Sequence, residues 1–280
     1  MRIAFAVLTA VAAVAMAGPV PAATDPEAIE IPHAGGAPLK AVLFRPDGNG
    51  PFPAVIGLHN CTGLHNRNGA IGARYRDWGQ RLSKLGFAVL LPDSNGSRRL
   101  GSQCGVRARS LRVDRERVDD AVAARAWLQT QSWIAADRVS LLGWSSGAIA
   151  VLWAVRARPQ PDTGDAQDFR SAVALYPGCR RLSNVAWSAR VPTLIMIGRA
   201  DDQASAAVCQ KMVTGARGRS ARVEIRVYPG APHDFDHPNR PIEVRTGLAY
   251  SVDGSGKVHS GTNPAARADA LKRVPEWLGQ

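Results

Sequence analysis

The chain has 280 residues, of which 45 % are hydrophobic and 21 % charged, with a formal net charge of +12. That length makes one large domain the natural expectation and buries a full core without metal or disulfide staples. The charge raises nucleic acid, anionic lipid or anionic polymer as partners, but the arginine cluster (Arg98, Arg99, Arg107, Arg109, Arg112, Arg115, Arg117) is interleaved with Asp114, Glu116, Asp119 and Asp120. Such mixing reads as a solvated helix face, and a nucleic-acid surface is not expected.

In chain order, Met1-Arg2 is followed by an apolar, alanine-rich run over residues 3–17 and the small-x-small pattern Ala15-Met16-Ala17. This predicts a signal peptide over residues 1–23, cut after Ala17 or Ala23, and a periplasmic or secreted protein. The run is shorter than the roughly 18–20 residues of a spanning helix, and no other candidate follows. One domain is expected over residues 24–280. No internal repeat or heptad pattern is present.

Residues 28–33 and 38–45 read as strands around a Gly35-Gly36 turn, and residues 54–58 as a buried strand. Residues 71–85 predict an amphipathic helix stopped by Gly86, and residues 87–91 another buried strand. Residues 111–130 predict a long helix with Val118, Val122, Ala126 and Trp127 on its apolar face. A strand over residues 138–144 and a helix over 148–155 follow, then strands over 172–176 and 193–197. A helix over 205–214, a strand over 223–228 and a final helix over 265–278, disturbed by Pro275, complete the chain. Strands alternating with helices imply a mostly parallel central sheet with helices on both faces, opened by an antiparallel hairpin. No stretch is long enough for a large cap domain.

The sharpest motif is Gly143-Trp144-Ser145-Ser146-Gly147, between a predicted strand and a predicted helix. It fits G-x-S-x-G, in which small residues let strand and helix close around a strained serine. The helix start then offers free N–H groups to a developing oxyanion. Polar clusters follow two later strands: Asp201-Asp202 after residues 193–197, and His233 after residues 223–228. The order Ser145, Asp201, His233 is that of an α/β-hydrolase triad. A serine needs an imidazole to take its proton, and the imidazole needs a carboxylate to hold it. Asp201 is the expected carboxylate, with Asp202 capping the next helix.

The segment His59-Asn60-Cys61-Thr62-Gly63 follows the strand at residues 54–58. In such a fold this loop supplies a second oxyanion donor, expected from the amide of Cys61 beside that of Ser146. A metal reading of His59, Cys61 and His65 matches no strong zinc spacing, so no metal or other cofactor is expected. Gly254-Ser255-Gly256-Lys257-Val258 lacks the Ser/Thr of a phosphate-binding loop and reads as a hairpin turn. Trp144 either flanks the acyl pocket or packs helix against sheet. Four cysteines in an exported chain suggest disulfides, with three pairings open.

These motifs together with Leu90-Leu91-Pro92-Asp93, Tyr176-Pro177-Gly178 and Gly230 with Phe235 resemble the dienelactone hydrolase family. The resemblance runs from about Ala28 to the C-terminus. It implies the α/β-hydrolase fold, a triad on Ser145, Asp201 and His233, and oxyanion donors on Cys61 and Ser146. Founding members carry a cysteine nucleophile where Ser145 stands and a glutamate where Asn60 stands. The exported, four-cysteine serine members are therefore more similar. Arginines hold the substrate carboxylate in the family, so Arg98 or Arg99 matches one, and Arg98, Asn60 and Trp144 become candidate substrate contacts. A Cys61–Cys104 link would pin the oxyanion loop to the loop after Asp93, and Cys179–Cys209 would pair near Asp201; buried free thiols are the alternative. The expectation is a serine hydrolase acting on a small-molecule or extended carboxylic ester or lactone through an acyl-enzyme. An acyltransferase on the same triad, or a non-catalytic basic binding protein on the same fold, stands as the alternative.

Overall fold

Runs such as Ala-Val-Ile-Gly-Leu and Leu-Ile-Met-Ile-Gly carry no charge, so they are stable only as strands covered on both faces. Such strands form the centre of the computed structural model, which describes residues 25–34, 36–157 and 167–280. The leader expected over residues 1–23 and Gly35 of the first turn lie outside the described residues. The strands are β1 Glu27–Ile31, β2 Leu39–Phe44, β3 Phe52–Leu58, β4 Ala88–Pro92, β5 Ile134–Trp144, β6 Ala172–Leu175, β7 Thr193–Gly198 and β8 Val223–Tyr228. They make one eight-stranded sheet in the order β1-β2-β4-β3-β5-β6-β7-β8. β1 and β2 are antiparallel additions at one edge, and β4 to β8 run parallel with β3.

The helices are α1 Ala73–Lys84, α2 Ser94–Ser97, α3 Glu116–Gln129, α4 Ser146–Ala154, α5 Arg180–Asn184, α6 Ala206–Gly215 and α7 Pro264–Leu278. α3 and α4 pack together on β3 and β5, while α1 lies on β4 and β2 and α7 on β6 and β7. α4 is apolar nearly all round, as a helix sunk in the core must be. A small antiparallel hairpin, β9 Glu243–Arg245 with β10 Val258–Ser260, lies outside the main sheet. Gly254 to Lys257 falls in its connection, and Val258 opens β10; Asp253 Oδ1 accepts from the Ser255 amide.

Three expectations change. The helix predicted over residues 111–130 begins only at Glu116, and Val122 and Ala126 of its expected apolar face point outward. The buried side instead carries Arg117, Asp120 and Arg125 among Val118, Ala121, Ala124 and Leu128. Periodicity assigns charges to solvent, but Asp120 and Arg125 have partners. Arg98 grips both oxygens of Asp120 at 2.7 and 3.0 Å, and Arg125 meets Asp168 at 3.1 Å. The basic cluster is therefore only partly a solvated face. Pro275 does not disturb α7, because in the last turn it forfeits a single backbone hydrogen bond.

Candidate active site

The carboxyl ends of β3, β5, β7 and β8 converge on one point, which is where a parallel sheet leaves a crevice. β5 ends at Trp144 and α4 begins at Ser146, so Ser145 occupies the turn alone. Its backbone is forced to φ 53° and ψ −114°, a region that costs a non-glycine residue of order 1–3 kcal/mol. The flanking glycines make the turn possible. A Cβ on Gly143 would sit 2.6 Å from Gly147 O, and one on Gly147 would run into Leu58 O. The Ser145 amide donates to Leu175 O at 2.9 Å, which fastens the turn to β6.

His233, in the loop after β8, faces this serine. Its Nε2 lies 3.0 Å from Ser145 Oγ, and its Nδ1 lies 2.8 Å from Asp201 Oδ2. A carboxylate only accepts, so the Nδ1–H donates to Asp201 and leaves Nε2 to accept from the serine hydroxyl. Asp201 Oδ1 accepts from the amides of Gln203 and Ala204 at 2.9 and 2.8 Å, which sets the carboxylate's orientation. Burial alone would lower the His233 pKa, but the adjacent Asp201 charge and its hydrogen bond outweigh it, and the pKa is raised. Asp202 is not a helix cap. It binds the amide and ring of His259 at 2.9 and 2.7 Å, and Ser205 caps α6 by accepting from Val208 N.

The expected oxyanion donors are backbone amides. The Ser146 amide is the first of α4 and has no intrahelical partner. Cys61 borders the same cleft as Ser145 and Ser146. Its loop is fixed at several points. Tyr75 Oη accepts from Asn60 N at 2.9 Å, Asn60 Oδ1 accepts from the Thr62 amide and hydroxyl, and Cys61 O accepts from Gln103 N at 2.8 Å. Cys61 is bonded to Cys104, and Cys179 to Cys209. Beneath the loop, burial and the Arg117 charge push the His59 pKa well down, so its ring is neutral. Arg117 is itself buried and donates to Ser146 Oγ at 3.4 Å.

The three expected substrate contacts lie elsewhere. Trp144 is fully buried beside Ser145, with its indole N–H on Asp236. Asn60 spends its carbonyl inside its own loop, and Arg98 is committed to Asp120 beside α3. The cleft has a volume of about 480 Å³. Its floor is apolar, with Leu111, Val113, Ile149 and Val208. Arg107, Arg109, Arg112, Arg180 and Arg181 also line it, with Tyr250, over whose ring Arg109 lies at 5.4 Å, and Val252, and no Asp or Glu is among the described residues lining it. These wall residues carry no motif. Their two loops meet where Ala249 N donates to Cys104 O at 2.8 Å and the Tyr250 hydroxyl donates to Arg107 O at 3.1 Å.

Comparison with known proteins gives the family and the fold. The profile of the dienelactone hydrolase family matches residues 39–280. A protein of Methylorubrum extorquens assigned as a carboxymethylenebutenolidase is 26% identical over 90% of this chain and 80% of its own length. Mouse dipeptidyl peptidase 8 is 28% identical over 58% of this chain, which spans only 18% of that much longer protein. A solved structure from Klebsiella pneumoniae, assigned as a dienelactone hydrolase, shares the fold with a TM-score of 0.69 and 20% identity, covering 91% of this chain and 98% of that one.

Proposed function

Since the chain belongs to the dienelactone hydrolase family of carboxylic ester hydrolases, we propose that it cleaves an ester or lactone through an acyl-enzyme on Ser145. The carrying observation is the unbroken chain from Ser145 Oγ through His233 to Asp201, with links of 3.0 and 2.8 Å. Ser145 attacks the carbonyl carbon while His233 Nε2 takes its proton. Asp201 holds the ring and stabilises the imidazolium. The amides of Cys61 and Ser146 receive the tetrahedral oxyanion. His233 returns the proton to the leaving alcohol, and water repeats the sequence on the acyl-enzyme.

The arginine edge favours esters bearing an anionic group away from the scissile bond, with the apolar floor taking the acyl chain. The leader over residues 1–23 and the two disulfides favour export to an oxidising compartment, with residues 24–280 as the mature domain.

A fluorophosphonate probe tests the nucleophile. Labelling of the wild type that is lost in Ser145→Ala supports the reading, and folded wild-type protein that stays unlabelled overturns it. A panel of neutral and carboxylate-bearing esters then reads the preference, which Arg107→Gln, Arg109→Gln and Arg180→Gln should erase. Added alcohols that divert product from the free acid would mark an acyltransferase.

A further inference from the structure

The His233 loop carries two further buried carboxylates, Asp234 and Asp236, and the reaction as written uses neither. Asp236 is fully buried, which is costly unless donors satisfy it. Four converge. Oδ2 accepts the indole N–H of Trp78 at 2.7 Å and of Trp144 at 2.9 Å, and Oδ1 accepts the Tyr176 hydroxyl at 2.6 Å. Arg74 Nε lies 3.4 Å from Oδ1 in an ion pair.

Two of these donors lead to the reacting groups. Trp144 immediately precedes Ser145. Tyr176 ends the β6 edge that holds the Ser145 amide, and its ring meets the His233 ring edge-on at 4.6 Å. Asp236 itself is three residues past His233. The path from Ser145 through the Trp144 indole to Asp236, and back along the loop to His233, is a closed circuit. Its last link is the 3.0 Å contact between Nε2 and Oγ. Misplacing such a contact by about 1 Å costs of order a hundredfold in rate.

We propose that Asp236 is a positioning residue: its carboxylate ties the histidine loop to the strand end that carries the nucleophile and so sets the distance over which the proton moves. The proposal rests on the serine-hydrolase reading. Trp78 supplies its control. It donates to the same oxygen as Trp144, but from α1, so its bond leads away from Ser145.

The experiment compares Asp236→Asn, Trp144→Phe and Trp78→Phe, with active sites counted by fluorophosphonate titration and kcat and KM measured on a p-nitrophenyl ester. Asp236→Asn should lower kcat per titrated site by about 10- to 100-fold with KM within about twofold. Trp144→Phe should lower kcat by a smaller factor in the same direction. Trp78→Phe should lower the melting temperature while keeping kcat within about twofold. Undiminished kcat in Asp236→Asn overturns the proposal. So does an equal kcat loss in the two tryptophan variants, which would make the carboxylate a fold element only. If Asp236→Asn does not fold, the tryptophan pair decides alone. An inactive wild type would instead count against the hydrolase reading itself.

Discussion

The two flanks of Ser145 are held by different physical means. On the acid–base flank, side chains fix side chains. Asp234 pairs with Arg74 at 2.8 Å and Arg240 at 3.1 Å, Asp236 gathers two indoles and a phenol, and Phe235 is sealed between them in the main core. On the oxyanion flank, the tether is the chain itself. Cys61 is bonded to Cys104, and among the described buried hydrophobic residues that disulfide clusters with Leu248 and Val258, separate from the main core. The difference follows from what each flank must present. Proton transfer needs an imidazole held at one angle, which takes contacts around a ring. An oxyanion needs a backbone N–H at one place, and a cross-link at the same residue supplies that without a large core.

The sharpest break in the acid–base flank is Asp201→Asn. An amide in that place stabilises the wrong imidazole tautomer and no longer compensates the imidazolium, and a loss in kcat of about ten-thousand-fold is expected. In the wild type, the raised His233 pKa sets the acid limb. The base works only when neutral, so kcat/KM should fall as pH drops through a midpoint above the ordinary histidine value of about 6.5. Asp201→Asn should move that midpoint down, because the charge that raised it is gone. A pH–rate profile of each protein decides the matter, and an unmoved acid limb would mean that another group controls it.

Next in size is Arg74→Met. Arg74 is buried and its charge lies against both Asp234 and Asp236. Removing it strands two buried carboxylates, and a stability loss of about 3–5 kcal/mol is expected in denaturant unfolding. Arg74 and neighbouring cations hold the Asp234 carboxyl well below the usual carboxylate range despite burial. That stabilisation is present above the unfolded carboxylate pKa of about 3.9 and is lost as pH falls below it. The stability difference between variant and wild type should therefore narrow as pH falls through that range, because the wild type loses a stabilisation that the variant lacks.

The cross-links divide in the same way. Replacing Cys61 and Cys104 together by alanine, or Cys179 and Cys209 together, should cost about 2–5 kcal/mol of stability in either case. Only the first pair lets an oxyanion donor wander, so only it should lower kcat by about tenfold or more. Cys179 borders the cleft, so loss of the second pair should appear in KM. Equal effects on kcat would show that both flanks depend on general rigidity.

Much of this was readable from residues alone, for stated reasons. The strands β3, β4, β6 and β7 are uncharged runs with Gly or Pro close by, and chain order put Ser145, Asp201 and His233 at strand ends, where the structure brings them together. What was not readable depends on pairing across the fold. Asp120 and Arg125 pass for solvent-facing residues until Arg98 and Asp168 are in place. Asp202 resembles a helix cap until His259 arrives from the hairpin. β9 and β10 span three residues each, too few to show a period. Trp144 gave no sign of which neighbour its indole would find.

The finest test sets one buried arginine against another. Arg117 is as buried as Arg74, yet two of its nitrogens, Nε and Nη2, have no hydrogen-bond partner among the described residues, and Nη1 donates to Ser146 Oγ at 3.4 Å. Burial pulls its pKa down to about 10, so it is still charged at neutral pH. Here the desolvation cost is poorly repaid, and an apolar side chain of similar length removes it. Arg117→Met should therefore leave stability within about 1 kcal/mol of wild type or raise it. The same substitution withdraws a positive charge from behind the Ser146 amide, so kcat should fall, by less than about tenfold, with KM unchanged. Arg74→Met should show the opposite balance, with the fold suffering first. If Arg117→Met unfolds as readily as Arg74→Met, the oxyanion flank depends on buried charge as heavily as the acid–base flank, and the contrast between covalent and ionic fixing dissolves.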